Sequence, residues 1–474
     1  MRLKRVAGIL GHFIQIYALL TLVPAAVALM YSEPLLNVLM FLFAGGIGLA
    51  AGTAMVTEGE AREPSVQEAI VSTVLGWGFA VMIGAIPLFH FMTPLNAVFE
   101  AMAGLTTTGI SMLLQPSRLP HSMLFWRGFM QWIGGLGILT FFIAVIRESG
   151  GITQRLFSAE AHKTDPGSIR PSLKKSLMDL WRVYGFFTTV LIAVFIGLGM
   201  TPFDAIVHAF STLSTGGFST MGASLGGFAP VIQAASIPFM FIGGVNFVLL
   251  YRLLKADLRP LARNTEFVVY SFIFLLVTGI TAYTLSSNPA TETPALDAMF
   301  QTASVISSTG FSTLSITEMI LPVQVIFLGL MFVGGSLGST AGGIKVFRLV
   351  ALFKLLKTRV RAYTLPKSAV NKVKIDGEIL DKEAVRTISV LLFTWISFVS
   401  ISSLALIAFE GLSFIGATSA ALSAAGNMGP VYFSGAQLVN LSVFSKSVMI
   451  IVMLAGRLEM LPLLAIFNRT IIKD

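Results

Sequence analysis

A glycine-centred loop occurs four times in this chain, and no other feature limits the possible folds as strongly. The copies are Leu105–Ser111 around Gly109, Ser214–Thr220 around Gly217, Ser307–Thr313 around Gly310 and Leu422–Gly429 around Gly426. A single cluster of Ser, Thr and Gly is most simply a surface loop. Four copies, each about a hundred residues from the next, instead indicate an architecture built from internal repeats.

The surroundings of the loop repeat as well. Thirteen residues before the glycines lie Asn96, Asp204, Asp297 and Ser413, whose short side chains are good N-caps for a helix. Downstream, small residues interrupt a long apolar segment at Gly134-Gly135, Gly243-Gly244, Gly334-Gly335 and Ala455-Gly456. Each unit therefore predicts a long apolar helix, a short capped helix, a glycine loop and a second long helix.

Composition places these helices in a bilayer. The chain is 55% hydrophobic and 12% charged, and a soluble domain carries about twice that fraction of charge. The absence of cysteine excludes thiol catalysis and cysteine-ligated metals, and the five histidines form no close pair. Without paired catalytic carboxylates or a His base near a Ser, an intramembrane enzyme is disfavoured.

The apolar segments predict ten spans and four short helices of about ten residues, too short to cross and therefore re-entrant. Two spans, residues 7–31 and 35–56, precede the repeats, and the length of the first favours an uncleaved anchor over a signal peptide. With the N-terminus inside, 28 of the 32 lysines and arginines lie on the inner side. This asymmetry explains the positive charge as topology and argues against a nucleic-acid partner.

We expect the repeats to surround one axis as a pseudo-fourfold pore, with all four loops on the outer side. The C-termini of the short helices would then converge on the axis and favour a cation. Backbone carbonyls presented by glycine-containing loops can replace a hydration shell, and hydroxyls add neutral oxygens. Since no carboxylate ring accompanies the loops, the predicted ion is monovalent. The basic run Lys354–Arg361 faces either lipid headgroups or a cytosolic partner.

The predicted fold is thus an all-α membrane protein with four tandem repeats of helix, pore helix, filter loop and helix, plus two extra N-terminal transmembrane helices. The expected divisions are 1–57 for the N-terminal helices, 58–150 for repeat 1, 151–260 for repeat 2, 261–375 for repeat 3 with a gating loop, and 376–474 for repeat 4.

These loops resemble the four filter loops of the TrkH/KtrB/HKT superfamily of K⁺ translocating proteins. Further similar stretches are Gly334–Lys345, Trp126–Gly135 and Gly456–Glu459, so the resemblance covers essentially the whole chain. The two extra N-terminal spans make the chain look like TrkH rather than the eight-span KtrB. The fourth loop departs from the others, because Ala424 and Ala425 replace hydroxyl residues.

The resemblance implies gated, channel-like K⁺ uptake (and Rb⁺ uptake) across a bacterial inner membrane, with both termini cytoplasmic. It further implies a homodimer and a cytosolic TrkA-like ring that binds ATP, ADP or NAD(H). K⁺ is the transported ion, and no organic cofactor is expected in this chain. The alternative is a K⁺ symporter coupled to H⁺ or Na⁺. The repeats are parallel rather than inverted, and no acidic residue stands at a clear midplane position, which both favour a channel.

The candidate filter residues follow from the loops. They are Thr107, Thr108, Gly109, Thr215, Gly216, Gly217, Ser308, Thr309, Gly310, Ala425, Gly426 and Asn427. Those expected to contact K⁺ directly are Thr107, Thr108, Thr215, Gly216, Ser308, Thr309, Ala425 and Gly426.

A second candidate site is the small-residue stretch inside the second helix of repeat 3. Its residues are Gly334, Gly335, Ser336, Gly338, Ser339, Thr340, Gly342 and Gly343. Glycine costs about 1 kcal/mol per helical site, so the helix should break here, and a break at membrane depth must line the pore. The resemblance assigns this stretch as a gating loop, and a small-residue packing seam is the alternative.

One basic residue, Arg457, lies well inside the last span, where a charge is costly and normally faces a cavity or a partner. We expect it to lie beneath the filter near the gating loop, repelling ions or holding the loop. Lys446 and Arg127 lie nearer the outer surface and are expected to snorkel in a structural role.

Overall fold

The computed structural model describes residues 3–58, 65–148, 173–286, 291–364 and 373–467. Three helices precede the repeats: α1 (Leu3–Leu20), α2 (Leu22–Met30) and α3 (Leu35–Glu58). α1 and α2 together form one apolar stretch, so both predicted N-terminal spans are helical. Glycines allow α1 and α3 to pack closely, since a β-carbon at Gly11 would lie 2.6 Å from the Gly52 carbonyl oxygen.

Each repeat has a long first helix, a short helix of 12 or 13 residues and a second apolar segment. The first helices are α4 (Val66–Ala85), α7 (Leu173–Gly197), α12 (Thr265–Leu285) and α16 (Lys382–Glu410). The short helices are α5 (Pro94–Leu105), α8 (Pro202–Leu213), α13 (Pro294–Ile306) and α17 (Phe414–Gly426).

The second segment is continuous only in repeat 1, as α6 (His121–Glu148). In the other repeats it consists of two helices: α9 (Pro230–Gly243) and α10 (Phe247–Leu254), α14 (Leu321–Val333) and α15 (Val346–Ala362), and α19 (Val443–Arg457) and α20 (Leu461–Ile466). Two short helices complete the list, α11 (Arg259–Arg263) and α18 (Gly435–Val439).

Because of these breaks, the described residues contain fewer unbroken long helices than the ten predicted spans. Within the described residues, six helices are long and apolar enough to cross a bilayer, or seven if the pair α9 and α10, bent by 112°, counts as one. The break predicted in repeat 3 is present over 334–345, whereas those in repeats 2 and 4 were not predicted. Asn246 starts α10 by accepting a hydrogen bond from Val248 N at 2.8 Å, and Glu459 and Met460 end α19 with left-handed backbones.

The short helices begin earlier than predicted in three repeats. Their N-caps are Thr93, Thr201, Thr293 and Ser413, so Asn96, Asp204 and Asp297 were wrong and Ser413 was correct. A proline follows each threonine, and its fixed φ suits the first helical position. Asp204 and Asp297 lie in the first turn and accept hydrogen bonds from the hydroxyls of Thr220 and Thr313, each at 2.7 Å.

The outer helices present apolar side chains away from the bundle. On α16, Phe393, Ile401 and Leu404 are 73, 67 and 65% exposed. Exposing a row of such side chains to water would cost roughly 25 cal/mol per Å², and patches of this kind mark a membrane or protein interface. Phe99 and Phe300, on the short helices, are fully buried. The short helices therefore lie inside a bundle whose outer surface suits lipid.

A two-stranded antiparallel hairpin departs from the predicted all-α fold. Its strands are β1 (Lys374–Ile375) and β2 (Glu378–Ile379). Asp376 and Gly377 both have positive φ, as a tight two-residue hairpin turn requires. The Asp376 carboxylate accepts a hydrogen bond from Thr265 N at 3.2 Å, which attaches the hairpin to the start of α12.

Candidate functional site

The four glycine loops form a closed ring. In each loop a glycine with a left-handed backbone lies against a carbonyl oxygen of the next loop. A β-carbon added at the glycine would meet that oxygen at 2.1 Å (Gly109 to Gly216), 2.0 Å (Gly217 to Thr309), 2.3 Å (Gly310 to Met428) and 3.1 Å (Gly429 to Thr108). Because the fourth loop returns to the first, the repeats surround one axis in chain order, as the pseudo-fourfold arrangement requires.

The fourth loop enters this ring three residues later than the sequence alignment placed it. Gly429, with φ 97°, is the counterpart of Gly109, Gly217 and Gly310, whereas Gly426 ends helix α17. In every loop the residue two positions before the glycine also has a left-handed backbone: Thr107, Thr215, Ser308 and Asn427. The alignment on Gly426 was therefore wrong.

Backbone hydrogen bonds support the new register. The residue before each ring glycine donates its N–H to the carbonyl of the residue five positions earlier: Thr108 to Ala103, Gly216 to Ser211, Thr309 to Ser304 and Met428 to Ser423. The shift of three residues also explains the N-caps, because Ser413 then aligns with Thr93 and Thr201. The sequence offered two glycines in Gly426-Asn427-Met428-Gly429, and spacing alone selected the wrong one.

Eight loop carbonyls, two from each loop, accept no hydrogen bond from the described part of the chain. They belong to the left-handed residues Thr107, Thr215, Ser308 and Asn427, and to the glycines Gly109, Gly217, Gly310 and Gly429. An unpaired carbonyl away from water is costly unless another partner satisfies it. Since the left-handed residues are at most 1% exposed, the ring offers neutral oxygens suited to a desolvated cation.

Small residues on the second helices allow the short helices to end at the ring. A β-carbon at Gly134 would lie 1.9 Å from the Leu105 carbonyl oxygen, and one at Gly456 would lie 2.3 Å from that of Ala425. In repeats 1 and 4 the predicted small-residue interruptions therefore lie where the second helix crosses the C-terminal end of the short helix. These helix ends carry partial negative charge, which favours a cation at the ring.

The predicted gating loop occupies residues 334–345 and lies directly against the ring. Gly342 N donates to the Ser308 hydroxyl at 2.6 Å, and Gly343 N donates to the Gly426 carbonyl at 3.1 Å. The Thr340 hydroxyl donates to the Leu213 carbonyl at 3.0 Å. The loop thus contacts repeats 2, 3 and 4 at the ends of their short helices, through hydrogen bonds as well as through close packing, since a β-carbon at Gly342 would lie 1.7 Å from the Gly426 oxygen.

Arg457 connects this loop to repeat 1. It is 3% exposed, and its guanidinium donates to the Thr340 carbonyl at 3.0 Å and to the Gly134 carbonyl at 2.8 Å. The expected proximity of Arg457 to the gating loop is therefore observed. Its neighbour Glu459 pairs with Arg348 at 2.5 Å, across 111 residues of sequence.

Glu266 is a contact of the gating loop that the sequence did not reveal. Its carboxylate Oε1 accepts hydrogen bonds from Leu337 N at 2.8 Å and from Phe347 N at 3.1 Å. It joins the middle of the loop to the first turn of α15, while Lys345 donates its ammonium to the Ala341 carbonyl. No local sequence pattern predicts the contacts of Glu266, since its two partners lie 71 and 81 residues away in the chain.

The other two basic residues within the spans, Arg127 and Lys446, were predicted to snorkel, but both are buried. Arg127 is 2% exposed and pairs with Glu100 at 2.8 Å, measured from Nε to Oε1. Lys446 is 7% exposed, and its ammonium donates at 2.8 Å to both Asn96 Oδ1 and the Val439 carbonyl. Both charged groups therefore have polar partners inside the protein, and each has a partner in repeat 1.

A multi-span bundle that holds a closed ring of four half-length helices and carbonyl-bearing loops defines a membrane protein of the ion-translocating class. The family model described as TrkH, a cation transport protein, matches residues 42–472. The chain belongs to this family of cation transporters, which confirms the resemblance and the expectation that it is not an enzyme.

Full-length relatives agree with this assignment. The Trk system potassium uptake protein TrkH of Salmonella typhimurium strain LT2 is 29% identical over 485 residues, covering 99% of both chains. TrkI of Halomonas elongata is 31% identical over 471 residues, covering 96% of this chain and 94% of that protein. The crystal structure of the potassium transporter TrkH from Vibrio parahaemolyticus matches with a TM-score of 0.88 and 28% identity, covering 99% of this chain and 100% of that one.

Proposed function

We propose that this protein is a gated, channel-like pore for K⁺ uptake. The closed ring of loops with eight unpaired carbonyls carries the proposal, because it supplies neutral oxygens where four helix C-termini converge. Relatives named as potassium uptake proteins support K⁺ as the ion. A neutral oxygen ring suits a monovalent cation, since it provides little field to dehydrate a divalent one.

In this proposal the first three loops contribute the predicted filter residues, except for the Gly216 carbonyl, which accepts a hydrogen bond from Gln131 Nε2 at 2.6 Å. The fourth contributes Asn427, Met428 and Gly429 in place of Ala425 and Gly426. The Gly426 carbonyl already accepts a hydrogen bond from Gly343 N, and the Ala425 carbonyl accepts one from Trp395 Nε1 at 3.3 Å. Carbonyls with protein donors are poor ligands for an ion in transit. The division into four repeats at the predicted boundaries belongs to the same proposal, and residues 59–64, 149–172 and 365–372 lie outside the described part.

The segment 334–345 is the proposed gate, and Arg457 is the residue that holds it closed. The loop bonds to three of the four repeats, and Arg457 provides the bond to the fourth. An arginine there also places positive charge on the path of a cation. Opening requires these hydrogen bonds to exchange for others, so a partner that displaces α15 would release the loop from its far end.

The proposed partner is a cytosolic TrkA-like ring that binds ATP, ADP or NAD(H), and the proposed assembly is a homodimer in a bacterial inner membrane. Support comes from relatives whose names place them in a Trk system. The distribution of lysine and arginine supports cytoplasmic termini. Exposed Phe353, Leu356 and Lys357 on α15 supply a mixed apolar and basic face on the gate's own helix.

Uptake of ⁸⁶Rb⁺ into proteoliposomes tests the proposal. The purified chain is reconstituted with internal K⁺ and challenged with external K⁺ or Na⁺ as competitor, beside liposomes without protein. We expect basal uptake above that of the empty liposomes, which external K⁺ inhibits far more strongly than Na⁺. Uptake that requires a proton or Na⁺ gradient would instead support the symporter, and equal inhibition by both ions would reject a K⁺ filter.

A further inference from the structure

A buried ion pair lies behind the ring at the junction of the first two loops. Glu100 is 0% and Arg127 is 2% exposed, and Arg127 Nε lies 2.8 Å from Glu100 Oε1. Removing two charges from water costs more than most pairs recover, so a buried pair is weak support for a purely stabilising role. Its position between loops 1 and 2 instead indicates that the pair holds these two loops in place.

The pair contacts both loops within three residues of their ring glycines. On the side of loop 1, Glu100 accepts hydrogen bonds from the Ser111 hydroxyl at 2.9 Å and from Met112 N at 2.7 Å. On the side of loop 2, Arg127 donates to the Ser219 carbonyl at 3.1 Å and lies over the Phe218 ring, with 4.2 Å from Cζ to the centroid. A third donation, to the Ser111 hydroxyl at 3.0 Å, closes the network.

The other loops use neutral groups at the corresponding place. Nine residues before the ring glycine, repeat 2 has His208, whose Nε2 lies 2.9 Å from the Ser219 hydroxyl. Repeat 3 has Gln301, which donates to the Leu314 carbonyl at 2.5 Å, and repeat 4 has Ala420. Loops 2 and 3 are also held by a carboxylate, since Asp204 and Asp297 accept hydrogen bonds from Thr220 and Thr313. Among the described residues, however, only the junction of loops 1 and 2 has an ion pair whose two members bond to two different loops.

We propose that Glu100 and Arg127 are positioning residues that help to set ion selectivity, an inference that rests on the proposed K⁺ pore. The pair holds loops 1 and 2 at a fixed separation while its two charges cancel towards the ion. A single uncompensated charge about 10 Å from an ion, at an effective dielectric constant of about 20, changes ion binding by roughly tenfold. The cancellation of the two charges is thus as important for ion binding as the hydrogen bonds from the pair to the loops.

The charges make the expected effects opposite in sign. Glu100→Gln leaves the guanidinium uncompensated, so the apparent affinity for Rb⁺ and K⁺ should fall by roughly tenfold. Arg127→Gln leaves the carboxylate uncompensated, so inhibition of ⁸⁶Rb⁺ uptake by Na⁺ and Ca²⁺ should strengthen by a similar factor. The double variant restores neutrality and should lie between them in ion affinity, while it loses the bridge between the loops.

The test measures ⁸⁶Rb⁺ uptake and its inhibition by K⁺, Na⁺ and Ca²⁺ for the full chain and these three variants. Arg182→Gln, which breaks an exposed pair with Asp179, is the control and should match the unmodified protein. Opposite shifts in the two single variants, partly cancelled in the double variant, are the expected result. Equal loss of flux in all three with unchanged ion preference would show a structural role only and overturn the inference.

Further comparisons separate a variant that does not fold, and a failure of the proposed pore, from a failure of the proposed electrostatic role. If Arg127→Gln does not fold, Glu100→Gln compared with the double variant still carries the test, because the two differ only at the guanidinium. An unmodified protein that shows no preference for K⁺ over Na⁺ would reject the proposed pore rather than the role of this pair. Identical ion affinity in Glu100→Gln and the double variant would reject the electrostatic role.

Discussion

Alanine substitutions at ring glycines should have graded effects that follow the distance to the neighbouring carbonyl. At Gly310 a β-carbon would lie 2.3 Å from the Met428 oxygen, whereas at Gly429 it would lie 3.1 Å from the Thr108 oxygen. Both positions have left-handed backbones, which costs an alanine about 1–2 kcal/mol. Gly310→Ala must in addition move two loops apart by about 1 Å to reach an ordinary contact.

The expected consequence is a widened ring in Gly310→Ala. We predict that its K⁺ preference over Na⁺ falls by at least about tenfold, equivalent to about 1.4 kcal/mol, while Gly429→Ala loses less. Gly426→Ala tests the corrected register, since Gly426 lies in a helix and the three atoms nearest to its added β-carbon belong to the flexible Met428 side chain, at 3.1 Å or more. It should retain the preference, as should the control Gly279→Ala on the outer helix α12.

The assay is ⁸⁶Rb⁺ uptake with graded K⁺ and Na⁺ competitors, together with thermal unfolding of the purified variants. Unfolding separates a lost filter from a lost fold. The reasoning would be refuted if Gly426→Ala abolished K⁺ preference while Gly429→Ala kept it. It would also be refuted if Gly310→Ala were as mild as Gly279→Ala, because the close approach of loops 3 and 4 would then be irrelevant.

Three further substitutions test the gate and the support of the ring. Arg457→Gln removes donors to the Thr340 and Gly134 carbonyls, so uptake without a cytosolic partner should rise several-fold in flux assays. Glu266→Gln weakens the acceptor for two loop N–H groups and should raise basal uptake too, whereas unchanged uptake would show that the carboxylate is not a restraint. Gln131→Leu removes the acceptor for Phe218 N and the donor to the Gly216 carbonyl. The free energy of unfolding should fall by about 1–3 kcal/mol, as measured by denaturation. The K⁺ preference should also fall, as measured by competition between K⁺ and Na⁺ for ⁸⁶Rb⁺ uptake.

Periodic and compositional features were predictable from the sequence. Apolar length indicated the long first helices, and the fourfold recurrence of short helix and glycine loop indicated the ring before any contact was known. The interruption of the second helix in repeat 3 was also predictable, since eight glycine, serine and threonine residues in the ten positions 334–343 disfavour a continuous helix. These features depend on neighbours in the chain, which is why a single sequence carries them.

The register of the fourth loop was not predictable from spacing alone. Gly426 and Gly429 are both plausible ring residues, and only the left-handed backbone of Asn427 and the contact between Gly429 and Thr108 distinguish them. A closer comparison of the Thr-Pro pairs at the short helices would have exposed the error. Thr93-Pro94 and Thr201-Pro202 start their helices, and the alignment placed Ser413 three residues away from them.

Charged contacts behind the ring and the gate were equally hidden. Glu266 bonds to residues 71 and 81 positions away, and Arg348 pairs with Glu459 across 111 positions. Arg127 looked like a residue near an interface, yet Glu100 and two loops surround it. Such contacts form only when separate repeats pack together, so no local pattern in the sequence predicts them.

Current through a planar bilayer that contains the purified protein shows whether the ring of loops is a K⁺-selective pore. With high K⁺ on one side, low K⁺ balanced by Na⁺ on the other, and the Arg457→Gln variant used to raise the basal opening, the reversal potential is measured with equal pH on both sides and then with a pH gradient. A K⁺-selective pore should reverse close to the K⁺ equilibrium potential, with no change when a pH gradient is imposed. A reversal potential that follows the proton or Na⁺ gradient would contradict a K⁺-selective ring and identify a coupled carrier.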